Sequence, residues 1–210
     1  MKRLAVFFVV CGVMVSANAQ SYLGAIKALT SASISCSEQT TDCKKSGKGW
    51  RLYGGSRLTQ DKKIDLGFIQ IDGIEVGYSK FSEVTSRGVG SVDYLDSDGE
   101  AQVRDGVANF KIQADALTAA AVTHFQIVDD LTFSARLGVA YVSSTVRTTL
   151  DGLPKKASTA SKIKPYLGVG FEYTVIPDWK VVGMFDMTQF DVDGTKGTLK
   201  MFGLGAEASF

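Results

Sequence analysis

The sequence predicts an all-β chain, an eight-stranded antiparallel up-and-down transmembrane β-barrel, behind an N-terminal export segment. Three observations carry this. After residue 20, apolar residues alternate with small or polar ones at period two, the mark of strands with two unlike faces. No stretch of that region is apolar for the roughly 20 residues a membrane helix needs. The chain is also rich in Gly (22) and poor in Pro (3). An exported chain of this composition is either soluble or crosses the membrane as a closed sheet, because lipid satisfies no open backbone edge.

The export segment comes first. Lys2 and Arg3 form a positive start, Leu4 to Val15 is an apolar run, and Ala17-Asn18-Ala19 fits a small-x-small cleavage site. Residues 1–19 are therefore expected to be a signal peptide, and 20–210 the barrel domain. Cleavage removes Lys2 and Arg3 and leaves 21 basic against 22 acidic residues. That balance gives no electrostatic footprint for nucleic acid. Cys36 and Cys43 remain in a polar stretch, and export to an oxidising compartment favours a disulfide between them. The single histidine, His124, is too far away in sequence to suggest a metal site.

The last strand is the clearest. Phe202, Leu204, Ala206, Ala208 and Phe210 share one face, opposed by Gly203, Gly205, Glu207 and Ser209. Apolar-out, small-or-polar-in is the pattern of a membrane barrel strand. Upstream, Trp50 and Leu52 oppose Arg51 and Tyr53, and Ile74, Val76 and Tyr78 oppose Glu75, Gly77 and Ser79. Phe133 to Tyr141 and Leu167 to Tyr173 alternate likewise, and Val181, Phe185 and Met187 oppose Val182, Met184 and Asp186. Strands near Tyr22 to Ile34 and Phe110 to Phe125 complete eight, with small residues on both faces. Tyr22, Trp50, Tyr141, Tyr173, Trp179 and Phe210 lie near strand ends, where aromatic girdles sit at the two interfaces.

Four connections are long and polar: Ser35 to Lys48, Glu83 to Val107, Thr145 to Lys162 and Thr188 to Gly197. Gln126 to Asp130 and Thr174 to Asp178 are tight. Long surface loops alternating with short periplasmic turns is the barrel arrangement. Leu58 to Ile69 breaks the pattern, and both a strand extension and a small amphipathic excursion stay open there.

Three stretches together resemble the outer-membrane protein A (OmpA) type transmembrane domain. They are Gly49-Trp50-Arg51-Leu52-Tyr53-Gly54-Gly55 followed by Gly73 to Tyr78; Val128-Asp129-Asp130-Leu131-Thr132 leading into Ala135 to Gly138; and Gly170-Phe171-Glu172-Tyr173 followed by Ile176-Pro177-Asp178-Trp179. The resemblance spans Gly49 to Phe210 and implies outer-membrane localisation and a monomer. The expected match is to the barrel alone, without the peptidoglycan-binding C-terminal domain that many such proteins carry. Val182 and Met184 also stand where the family tends to have charged inward residues. A terminal Phe210 further resembles the signal read by the barrel-assembly machinery. Outer-membrane lipid and lipopolysaccharide are the other partners implied.

Parity puts Arg51, Glu75, Arg136, Glu172, Asp186 and Glu207 on the inward face. Charges in a narrow lumen are costly unless paired. The expected pairs, on neighbouring strands, are Arg51 with Glu75 and Arg136 with Glu172, and the surplus acids need water or hydroxyl partners. Parity also turns His124 inward. No Ser–His–acid set, GxSxG, phosphate loop or metal cluster accompanies it, so no catalytic residue, cofactor or metal is expected.

The function read from the sequence is structural: a small barrel that supports the envelope and presents loops for adhesion or partner binding. The alternatives are a low-conductance channel for small solutes and, further off, a lipid-modifying barrel enzyme. A soluble lipocalin-like carrier would need the apolar face inside.

Overall fold

The computed structural model describes residues 20–33, 40–59, 63–65, 70–95, 101–150, 156–192 and 195–210. The expected signal segment and Cys36 lie outside the described residues. Twelve strands follow in order: β1 (Gln20–Ala32), β2 (Thr40–Lys44), β3 (Ser46–Arg57), β4 (Ile64–Asp65), β5 (Gln70–Ile71), β6 (Gly73–Lys80), β7 (Val84–Leu95), β8 (Ala101–Val128), β9 (Leu131–Leu150), β10 (Lys156–Ile176), β11 (Trp179–Val192) and β12 (Thr195–Ser209).

Eight of them make the wall. Antiparallel ladders run β1-β3-β6-β8-β9-β10-β11-β12 and return to β1, so no edge is left open to lipid. The seam is finished by a mutual pair of backbone hydrogen bonds between Ser21 and Phe210, at 3.1 and 2.9 Å. Followed across the ladders from Tyr22, one rung passes Gly55, Glu75, Ala120, Gly138, Tyr166, Thr188 and Leu199, and returns to β1 at Ala32. The circuit therefore climbs ten residues along β1. A stagger of this size in eight strands means a tilt of about 40–45° and an interior only wide enough for side chains.

The faces fall as the alternation predicts. Leu137 is 66% exposed, Leu204 62% and Phe171 51%, while their neighbours Arg136, Gly203 and Glu172 point inward and are buried. A greasy outer belt around an ionised interior suits a bilayer and would be unstable in water. Outward aromatics stack on the wall: Trp50 with Tyr78 at 5.4 Å, and Phe133 with Phe171 at 5.3 Å. Tyr22 departs from the girdle expectation. Its parity on β1 is that of Ile26 and Ala28, so it is buried in the lumen.

One end of the barrel is trimmed close. Asp129-Asp130 and Pro177-Asp178 turn tightly, Asp178 taking a left-handed φ of 68°. The termini of the wall, β1 and β12, meet there too, which makes it the periplasmic end. Within Leu58 to Ile69, Ile64 and Asp65 on β4 pair with Ile71 and Gln70 on β5, a two-rung excursion below the barrel.

At the other end the polar connections are built differently from simple loops. β7 and the first half of β8 form a hairpin across Glu83 to Val107, carrying β2 on its outer edge. β9 runs on to Leu150 and β10 starts at Lys156, and β11 and β12 continue to Val192 and Thr195. The apolar–polar alternation fades there because the outward face leaves lipid for water, yet the neighbouring extensions still pair and inward Val146 and Ala160 pack against the interior core. Outward Thr145 and Thr159, and Ser143 and Ser161, join hydroxyl to hydroxyl at 3.0 and 3.2 Å.

Candidate functional site

The interior side chains are held on facing walls and fill the barrel in two charged layers under an apolar cap. Small inward residues make the room. The Tyr22 ring lies across Gly55 and the Tyr53 ring across Gly24, each glycine being the ladder partner of the tyrosine that covers it. A Cβ at either glycine would collide with the ring.

The upper charged layer centres on Glu75 of β6. Arg51 Nη2 on β3 donates to its Oε1 at 2.9 Å, and Arg136 Nε on β9 donates to both carboxylate oxygens at 3.0 Å. The Tyr22 hydroxyl donates to Oε2 at 3.3 Å. Arg51 also reaches Asp186 at 3.5 Å, and Asp186 accepts from the Tyr166 hydroxyl at 2.6 Å. The Arg51 guanidinium stands 5.2 Å from the Tyr166 ring centre, close enough for a cation–π contribution. All of these side chains are buried.

The lower layer, toward the periplasm, centres on Glu172 of β10. Arg57 Nη2 donates to it at 2.7 Å and Lys180 Nζ at 2.9 Å. Lys180 and Arg57 also lie 3.7 and 3.9 Å from Glu207, which accepts from the Tyr53 hydroxyl at 3.1 Å. His124 closes the layer, with Nδ1 2.7 Å from Asp72 Oδ1 and Nε2 3.4 Å from Glu172 Oε1.

Above both layers the lumen is apolar. Phe190, Leu199, Met201, Val142, Val192 and Ala114 pack together, nearly free of solvent. The extracellular half of the lumen is thus a hydrophobic core rather than the small-or-polar interior that the alternation led to expect.

The structure brings Arg51, Glu75, Arg136 and Asp186 together in one layer and Glu172 and Glu207 in the other. The expected partnership of Arg136 with Glu172 is not formed. On β9, Arg136 is only two residues from Gly138, which lies on the rung of Glu75; across β9 and β10 its own rung partner is Gly168, four residues from Glu172. Glu172 is meanwhile taken by Arg57 and Lys180. These two cations, missed in the sequence, balance the surplus acids. Simple parity finds both, since Arg57 lies an even number of residues from Arg51 and Lys180 from Val182. Asp72 carried no such signal, because it lies between strands.

Chemically the arrangement can neutralise, stiffen and exclude solvent. His124 has carboxylates at both ring nitrogens, Asp72 at Nδ1 and Glu172 at Nε2, an arrangement that neutralises the ring rather than pairing it with a nucleophile among the described residues. Among the described residues no group of His, Cys, Asp and Glu is placed to hold a metal ion. Cys43 sits on β2, on the outer edge of the long hairpin.

A closed eight-stranded barrel with an apolar belt and a paired interior defines the protein as a small outer-membrane β-barrel. The OmpA-like transmembrane domain model matches residues 16–189, and the chain belongs to that family. Two solved structures of similar fold are the attachment invasion locus protein Ail of Yersinia pestis, in complex with the heparin analogue sucrose octasulfate, and the Neisserial surface protein A. The first is 13% identical over 92% of this chain and 99% of its own, with a TM-score of 0.52. The second is 14% identical over 90% and 97%, with a TM-score of 0.51. At such identities the likeness concerns the fold alone. A comparison with curated protein sequences finds no match.

Proposed function

We propose that this protein is a non-conducting, non-catalytic surface barrel that anchors stiff extracellular hairpins in the outer membrane and presents them to partners outside the cell. The observation that carries this reading is the filled lumen. Arg51, Tyr53, Glu75, Tyr166, Glu172, Phe190 and Met201 are among the most deeply buried side chains. Paired charges in a dry interior hold one another in place rather than line a path for ions. The same walls rise past the membrane as the β7–β8 hairpin and the β9–β10 extension, which suits display. The outward row Phe202, Leu204, Ala206, Ala208 and Phe210 fits a strand read by the assembly machinery, and a wall closed on itself with no open edge fits a monomer.

Planar-bilayer recording tests this. The refolded protein should give no steady openings, and Glu75→Gln should at most introduce brief ones by loosening the upper layer. Steady wild-type conductance that changes with Glu75 or Arg136 substitutions would establish transport instead.

A further inference from the structure

The two charged layers balance differently. In the upper one, two guanidiniums, Arg51 and Arg136, face two carboxylates, Glu75 and Asp186. In the lower one, Arg57 and Lys180 face three: Asp72, Glu172 and Glu207. The sixth member is His124, with Nδ1 2.7 Å from Asp72 and Nε2 3.4 Å from Glu172. A ring with a carboxylate at each nitrogen is best matched by a proton on each, because an unprotonated nitrogen turns a lone pair toward an anion. The imidazolium makes the layer three against three, and an unbalanced charge in a site so short of water is costly. The charged groups around the ring come from several walls. Arg57 is on β3, Asp72 directly precedes β6, and Glu172 is on β10, with Lys180 of β11 and Glu207 of β12 next to it in the layer. β9 contributes the Ser134 hydroxyl opposite His124, while Arg136, two residues farther along, belongs to the upper layer.

Asp72 is also the last residue of the periplasmic excursion, and it fastens that segment to the wall. Its N–H donates to the Val122 carbonyl at 3.0 Å, and its carbonyl accepts from the Leu58 N–H at 2.7 Å. One residue thus ties the end of β3 to β8, just below the first rung of β6 at Gly73. Its carboxylate accepts from His124 twice, from Nδ1 and, at 3.3 Å, from the backbone N–H. Of the three acids it is the one nearest water: its side chain is 16% exposed, against 1% for Glu172 and for Glu207.

We propose that His124 is the proton-binding site of a latch that fixes the periplasmic segment Leu58 to Asp72 to the barrel. With both nitrogens protonated, the ring holds Asp72 and Glu172 together. A neutral ring carries a single N–H, and the layer is left with an excess negative charge. Glu172 and Glu207 stay with Arg57 and Lys180, so Asp72 relieves the excess by turning out to the periplasm. Its attachments to Leu58 and Val122 loosen with it. The latch is closed in acid and opens as the ring gives up its proton. It is a property of the lower rim and does not depend on what the extracellular hairpins bind.

The sequence has a single histidine, so nitrogen NMR of histidine-labelled barrel in detergent micelles reads the charge of this ring directly. Amide hydrogen exchange of the same sample, divided by the intrinsic rate at each pH, reads the latch at Leu58 and Asp72. Between about pH 5 and about pH 9, either side of the ordinary histidine range, protection at these two amides should fall roughly 10-fold, the size expected when a hydrogen bond to a charged group is lost. The fall should share its midpoint with the ring's own titration, while Ala120, farther up the same strand, keeps its protection. His124→Gln should make protection at Leu58 and Asp72 independent of pH. Asp72→Asn should lower it in acid to the level that wild type reaches in alkali. Heat-dependent gel migration verifies that each variant is folded, and if neither folds, the two wild-type midpoints decide. Protection that stays level while the ring titrates, or a ring that keeps one charge state throughout, overturns the proposal. So does a folded His124→Gln protein that still shows the fall, or a folded Asp72→Asn protein with undiminished protection.

Discussion

Glu75→Gln is the substitution that most directly probes the plug. The carboxylate receives three charge-assisted N–H···O contacts from Arg51 and Arg136 and one from the Tyr22 hydroxyl. Glutamine keeps the volume but removes the charge, and its amide group must turn two N–H donors toward guanidinium donors. Arg51 retains Asp186 at 3.5 Å, whereas Arg136 keeps only the Ser134 hydroxyl at 3.1 Å. One guanidinium is therefore effectively orphaned, a loss worth about 3–5 kcal/mol. The assay is urea unfolding of barrels folded into phospholipid vesicles, followed by the emission of Trp50 and Trp179, both on the outer wall. Arg136→Met alone should cost a similar amount, since it strips Glu75 of the Nε–H shared between its two oxygens. The double variant should cost less than the sum by about 2–3 kcal/mol, because neither charge is then left alone. Glu172→Gln paired with Arg136→Met should instead be additive within about 0.5 kcal/mol, since the two groups share no partner. A Glu75–Arg136 cycle additive within that error, or a strongly coupled Glu172–Arg136 cycle, would refute the two-layer reading.

Three further outcomes are expected. Gly55→Val should destabilise the folded barrel by about 1–3 kcal/mol through overpacking against the Tyr22 ring and the Ile74 carbonyl, and the Tyr22→Ala background should recover part of that loss in the same urea assay. Cys36 and Cys43 are proposed to form a disulfide worth about 2–3 kcal/mol of unfolded-state constraint; exported protein should take up alkylating reagent at these positions only after reduction. The hydrogen bond from Lys111 Nζ, with help from Gln113, holds the Glu83 carboxyl below the usual carboxylate range. A carboxyl lowered in the folded state stabilises above its unfolded value, and that contribution is lost as pH falls through the folded one. Amide exchange at the hairpin base, near Val84 and Ile112, should therefore rise in acid beyond the intrinsic rate, and Glu83→Gln should flatten that dependence.

The faces of the wall were legible because lipid and lumen impose opposite demands on successive residues. Leu137 and Arg136 are adjacent in the chain and can only point to opposite sides of the sheet. The same logic explains what was not legible. Above the membrane the outward face meets water too, so residues 143–149 and 157–161 lose their apolar–polar alternation although their ladder continues and inward Val146 and Ala160 still pack on the core. Tyr22 was misplaced by its type: a tyrosine near a strand end suits a girdle, but parity with Ile26 outweighs type, and Gly55 opposite supplies the space its ring needs.

The partner of Arg136 shows where a strand-by-strand reading stops. Alternation assigns a side chain to the lumen but not to a height within it. Height depends on the stagger, and the stagger of ten residues emerges only when all eight ladders are closed on one another. In a tilted wall, groups at one level are seldom ladder partners, so a cation can meet an acid two strands away sooner than one on the adjacent strand. Arg136 and Glu75 are separated by β8, yet Arg136 Nε lies 3.0 Å from both oxygens of the Glu75 carboxylate. A sequence change that shifted a single ladder would leave every residue on a plausible face while dissolving the pairing. The layered interior therefore fixes the register as well as filling the lumen. Charge pairs of this kind weld the strands at particular heights, and they do so even if their net contribution to stability, after desolvation, is small.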